Sequence, residues 1–281
     1  MSDLVGVFGV QHNPLLWRAL DSPEDPRLIA LRTAFAEMSE RLRALRPDVI
    51  VVVATDHLSQ WFYDNMPTFL VGKADVIPAT FASEEREFGI DRATLHGDVR
   101  LGAWLHEDGL GRGVDYAGSD AFRVDHSVLV PLHFLTPDLE VPIVPVFTNA
   151  IAPPFPSADR FLSVGRALRE SIEASPLDRR VVVVASGHLA TEVGGPRQFR
   201  GSPDHAFDGD AVSAVRDGRI PELLRLSAHD RLLAAGNVTH QFLNFVTAVG
   251  VAGGGPATYA ESVITRFATS PFFEWTGEQL R

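Results

Sequence analysis

The chain has 281 residues, 45% apolar and 22% charged, which supplies a sizeable core and excludes a disordered or fibrous protein. Its formal net charge of −11 excludes a nucleic-acid partner, because a phosphate-binding face needs clustered Lys and Arg. It has no cysteine, so disulfides, thiolate zinc sites and cysteine nucleophiles are excluded, and ten histidines remain as the metal-binding resource.

Residues 4–10 (LVGVFGV) form a short apolar run and predict a first strand. Leu28, Leu31, Phe35, Met38, Leu42 and Leu45 recur at three-and-four spacing and predict an amphipathic helix over 27–46. The run 48–54 (DVIVVVA) predicts a second strand, apolar throughout and therefore suited to burial on both faces. Segment 83–125 is richer in charge and glycine and reads as an excursion of helices and loops; within it, Glu84-Glu85 reads as a solvated face. A third strand is expected over 141–147. Phe161, Val164, Leu168 and Ile172 predict a helix over 158–175, and RVVVVA at 180–185 predicts a fourth strand. Gly253-Gly254-Gly255-Pro256 breaks the chain before a tail in which TYAESVITRF is a candidate last strand. Alternating strands and helices argue an α/β fold, with a mostly parallel or mixed central sheet and helices on both faces, in a single domain over 1–281. No run of about 18 apolar residues reads as a membrane span. MSDLVGVFGV lacks the features of a signal peptide, so the expected location is the cytoplasm.

Three strands end on histidine: the first in Gln11-His12-Asn13-Pro14, the second in Thr55-Asp56-His57, the fourth in Ser186-Gly187-His188. Ligands collect outside the carboxyl ends of strands in open α/β sheets, so the three imidazoles are candidates for one metal site. A lone histidine after a strand is more often a cap or loop residue, and the local spacing matches no zinc motif. His126 follows Asp125, a candidate helix cap, and stands at a helix start or beside the site as a proton donor. His133 reads as a structural helix residue, and His96, His106, His205 and His229 as surface residues. The chain contains no GxSxG elbow, dinucleotide fingerprint or phosphate loop.

His12 together with DHLSQWFYDNMPTFLVG (56–72), VDHSVLVPLHFL (124–135), VPIVPVFTNAIAPPFP (141–156), VVVVASGHLATEVGG (181–195) and AGNVTHQFLNFVTAVG (235–250) resembles, in order, the class III extradiol ring-cleavage dioxygenases. Protocatechuate 4,5-dioxygenase β subunits and gallate-cleaving relatives are the members in view. The resemblance spans about the whole chain and implies an α/β fold. It also implies one non-haem Fe(II) held by two His and one Glu, with a catecholic substrate and O₂ as partners. His12 and His57 match the two histidine ligands. His126 matches a histidine beside the metal or at a substrate hydroxyl. The Glu ligand position, counted from Gly236, carries Gln241, a neutral carbonyl donor. A register one residue shorter puts His240 there. The proton-shuttling histidine position carries Thr191, with Glu192 next to it and His188 one loop step earlier.

The implied function is therefore Fe(II)-dependent ring cleavage of a hydroxylated aromatic, with His12, His57 and Gln241 on the metal and His188, His126 and Thr191 in proton handling. Gln241 and Thr191 leave two alternatives: a non-catalytic or regulatory subunit paired with an active homologue, and metal-assisted chemistry without O₂ on the same scaffold. The resemblance also implies assembly, as a homo-oligomer or with a related subunit. Arg123 and Arg197 are candidate anion partners. Trp61, Phe62 and Phe69 are candidates for an aromatic pocket, with core packing as their other use.

Overall fold

The structure, a computed structural model, describes residues 1–280. Its elements in order are β1 (Asp3–Gln11), α1 (Leu16–Ala19), α2 (Pro26–Ala44), β2 (Val49–Ala54), β3 (Phe69–Gly72), β4 (Val76–Ala79), α3 (Ala82–Phe88), β5 (Ala93–His96), α4 (Val99–Gly111) and β6 (Ala117–Ser119). They continue with α5 (His126–Leu135), β7 (Ile143–Thr148), α6 (Ala158–Ala174), β8 (Arg180–Gly187), α7 (His205–Arg216), α8 (Ile220–Leu226), α9 (His229–Ala235), α10 (Leu243–Val251), β9 (Tyr259–Ile264) and β10 (Thr269–Thr276).

Eight strands form one sheet in the order β6-β3-β7-β2-β8-β1-β10-β9. The four central strands, β7, β2, β8 and β1, are parallel. Antiparallel pairing of β3 with β7 and of β10 with β1 makes the sheet mixed. Successive valines explain the unbroken apolar runs. Val181, Val183 and Ala185 pack into one core with Phe161, Leu168 and Phe245 of α6 and α10. Val182 and Val184 pack into the other with Leu31, Phe35 and Leu129 of α2 and α5. Both faces are thus covered by helices, as a largely parallel sheet requires. Among the described residues no helix is long and apolar enough to cross a membrane.

Each predicted helix and strand recurs within a few residues of its expected bounds. The excursion holds more sheet than its composition suggests: β5 pairs with β4 in a two-stranded ribbon, and β6 pairs with β3 at the edge of the main sheet. The tail contributes two strands, β9 and β10, paired antiparallel.

On the α6 face the helices cross through glycines. A Cβ on Gly165 would lie 2.1 Å from the Thr247 carbonyl oxygen, and one on Gly250 2.3 Å from that of Leu162. Neither backbone can retreat without moving a helix that covers the sheet. Gly165→Ala should therefore lower unfolding stability by about 1–3 kcal/mol, read as a fall in denaturant midpoint with unchanged slope.

Candidate functional site

Strands β1, β2 and β8 are neighbours and run the same way, so His12, His57 and His188 emerge along one edge of the sheet. His126 opens α5 beneath them, with the Asp125 side chain capping that helix. The rings meet closely. His12 lies 4.1 Å from His188 and 5.2 Å from His57, and His57 stacks on His126 at 4.2 Å, centroid to centroid. Gln241 sits in the 3-10 turn Thr239–Phe242 that precedes α10. That turn approaches the end of β8 because Gly187 has no side chain: a Cβ there would lie 2.5 Å from the Gln241 carbonyl oxygen.

The hydrogen bonds fix the tautomers of three imidazoles. Ser186 gives its hydroxyl hydrogen to the Ser127 carbonyl and accepts from His12 Nδ1 at 2.7 Å. His57 Nδ1 donates to Asp125 Oδ2 at 3.0 Å, and His126 Nδ1 donates to Glu84 Oε1 at 2.6 Å. With each Nδ1 carrying hydrogen, each Nε2 is left as a lone pair, which is how polar neighbours prepare a histidine to bind a metal. His12, His57 and His126 place candidate ligand atoms within 4.8 Å of one another. His12 Nε2, His188 Nδ1, Thr191 Oγ1 and Gln241 Oε1 are buried without a hydrogen-bond partner. The Gln241 amide nitrogen donates to His57 Nε2 at 2.9 Å. A half-turn of that amide would exchange its oxygen for its nitrogen. A cluster of oriented lone pairs and an unpaired carbonyl oxygen fits a divalent transition-metal ion.

Burial, then the positive charge of its imidazole neighbours, holds His12 well below the usual histidine range. Burial and the charges of His57 and His126 push His188 down to about 3. For His57 burial acts downward, but the Asp125 charge and hydrogen bond outweigh it and the net direction is up. Asp125 answers in kind: burial raises it, and His57 with Ser127 holds it far below the usual carboxylate range.

The shift at His188 has a consequence for metal-free protein. Below pH 6.5 the unfolded chain protonates this residue while the folded one stays neutral down to about 3, so stability is present above 6.5 and lost on acidification. Between pH 6.5 and 5 the slope from this residue should reach up to about 1.4 kcal/mol per pH unit, and His188→Gln should flatten it. Urea midpoints measured across that range check this.

The structure also brings in residues whose role was not legible. Glu84, expected on a solvated face, is 4% exposed and accepts from both the backbone and the ring of His126. Asn244, at the start of α10, ties three strand ends together: it accepts from Thr148 Oγ1 and donates to Thr55 Oγ1 and to the Ser186 carbonyl. His240 turns away and stacks on Phe155 at 4.2 Å, beside His229. His229 and His106, expected at the surface, are half-buried, and His106 bonds the Tyr116 carbonyl. His133 stacks on Trp17. Glu192 is paired with Arg197, and Arg123 is spent on the carbonyls of Ala79 and Thr80. Phe69 packs in the core against Phe161, Trp61 against Phe147, and Phe62 is exposed.

Above the imidazoles opens a cavity of about 330 Å³, with His57, His126, His188, Thr191 and Gln241 in its wall. Histidines oriented by hydroxyl and carboxylate, gathered at the carboxyl edge of a parallel sheet and opening on a ligand-sized cavity, define an α/β enzyme with a candidate metal centre. The chain belongs to the family described as the catalytic LigB subunit of aromatic ring-opening dioxygenase, whose model matches residues 6–276.

Among its relatives is a 2,3-dihydroxyphenylpropionate/2,3-dihydroxicinnamic acid 1,2-dioxygenase of Rhodococcus sp. It is 31% identical over 246 residues, which are 85% of this chain and 74% of the relative. The enzyme of the same name from Escherichia coli O139:H28 is 30% identical over 81% of this chain and 62% of its own length. An uncharacterised Escherichia coli K12 protein of known crystal structure matches 96% of this chain and 99% of its own at a TM-score of 0.62. At 15% identity it speaks for the fold alone.

Proposed function

We propose that this protein is an Fe(II)-dependent extradiol dioxygenase that opens the ring of a catechol. In this reading His12, His57 and Gln241 hold the iron, the last through its amide oxygen. The observation that carries it is the shared tautomer state of His12, His57 and His126, with His12 Nε2 and Gln241 Oε1 buried and unpaired beside them. Bound Fe(II) would supply a Lewis acid for the two catechol oxygens and electron density for O₂.

The rest of the work falls to the chain's own side chains. His188 enters as the free base and takes a catechol hydroxyl proton; the catecholate left beside it then favours its imidazolium form. Its ring lines the cavity that a catechol would enter. His126, anchored through Nδ1 by Glu84, lines the same cavity and is the second proton-handling group. Thr191 cannot act as a base near neutral pH, but its partnerless hydroxyl can donate a hydrogen bond to a substrate oxygen.

The test is oxygen uptake by Fe(II)-loaded protein with catechols. Consumption of one O₂ per ring opened supports the reading. Turnover of a catechol in the strict absence of O₂ would favour metal-assisted non-oxidative chemistry instead, a reading to which the neutral Gln241 lends weight.

A further inference from the structure

The cavity has two unlike halves. Its floor carries the imidazoles and Gln241. Its outer walls are apolar: Leu15, Phe88, Ile151, Val193, Val238 and Phe267, with Phe199 at the rim. Among the described residues that line it, Glu192 is the one group of fixed charge, and no Lys or Arg is present. Three arginines adjoin lining residues in sequence: Arg197 is held by Glu192 through both its side chain and its backbone N–H, while Arg200 and Arg266 are exposed outside the lining, the Arg266 guanidinium lying over the Phe267 ring. Arg123 is committed to backbone carbonyls. The neutral polar groups of the outer half are Asn13 and Gln198. The carbonyl oxygen of each is already used, by the N–H of Leu15 and of Gly194, which leaves only uncharged amide donors. A carboxylate entering these walls would lose its hydration and meet no cation among the residues that line them, in a chain whose net charge is already −11.

Resting on the ring-cleavage reading, we propose that the substrate is a catechol bearing a neutral, apolar substituent. That substituent lies along the Leu15–Phe88–Val238–Phe267 side of the cavity. The relatives named for dihydroxyphenylpropionate differ on this point, since their named substrates bear a carboxylate side chain. The chain would thus share their reaction class and differ in the charge its pocket selects.

The experiment uses the full chain loaded anaerobically with Fe(II) and two ligands of nearly equal size, 3-(3-methylbutyl)catechol and 3-(2,3-dihydroxyphenyl)propionate. Calorimetric titration should give a Kd at least about tenfold lower for the neutral ligand. The variant Val193→Arg, at an exposed position in the wall, should shrink that preference to within about threefold by supplying the missing cation. Equal or tighter binding of the carboxylate by the native chain, or binding of neither ligand, overturns the proposal. Oxygen uptake is read separately. Preference for the neutral ligand without O₂ consumption removes the ring-cleavage reading and leaves the pocket's selectivity standing. O₂ consumption with preference for the carboxylate does the reverse.

Discussion

His12→Ala and His57→Ala should each reduce bound iron from about one per chain to below about a tenth after anaerobic loading and desalting. His12 has the stronger claim: it is fully buried, its Nδ1 is committed to Ser186, and its Nε2 has no partner. Removing it deletes a ligand whose orientation is already set, and the remaining donors cannot close the gap from rigid strand ends. His240→Ala is the control. That ring stacks on Phe155 away from the cluster, and its loss should leave iron content unchanged. Iron measured by atomic absorption on the variants decides the point. Undiminished iron in both His12→Ala and His57→Ala would sink the assignment.

Asp125→Ala should cost about 3–5 kcal/mol of folding stability and about 10–100-fold in iron affinity. This carboxylate is fully buried and accepts four hydrogen bonds, from the backbone and ring of His57 and from the backbone and hydroxyl of Ser127. Its loss uncaps α5, frees the tautomer of His57 and leaves the Nδ1–H of that half-buried imidazole without its acceptor. Asp125→Asn would restore the shape but turn a donor toward N–H groups, and should recover less than half the loss. Denaturant unfolding and Fe(II) titration, on the same preparations, separate the structural cost from the cost at the metal. A loss of stability below about 1 kcal/mol would contradict the role given to this residue.

The strands that carry the site were legible because burial on both faces leaves continuous valine runs, and each run stops at a histidine. β10 was not. Pro271 interrupts it, and Ser270 and Glu274 break its apolar pattern, yet it pairs with both β1 and β9. The histidine-bearing edge was legible for the same reason as the strands, but its supports were not. Glu84 stands in a run whose next three residues are exposed, so composition hides the one carboxylate that turns inward to His126. The capping position of Glu84, whose side chain accepts from Phe81 N–H, is the signal that could have singled it out. Asn244 looks like any polar residue at a helix start, and only the convergence of β2, β7 and β8 reveals what it joins. The choice between Gln241 and His240 turns on one residue of register. In the structure the Gln241 amide reaches His57 and the His240 ring faces Phe155.

The most direct measurement is a crystal structure of the protein loaded anaerobically with Fe(II), with anomalous scattering recorded at the iron edge. The expected result is a single iron bound by His12 Nε2, His57 Nε2 and the Gln241 amide oxygen, with Ser186 and Asp125 still holding the two Nδ1 atoms. Glu84, Asp125 and His126 also bring ligand atoms within 4.8 Å of one another. Iron at that group, with His12 Nε2 still unpaired, would contradict the account.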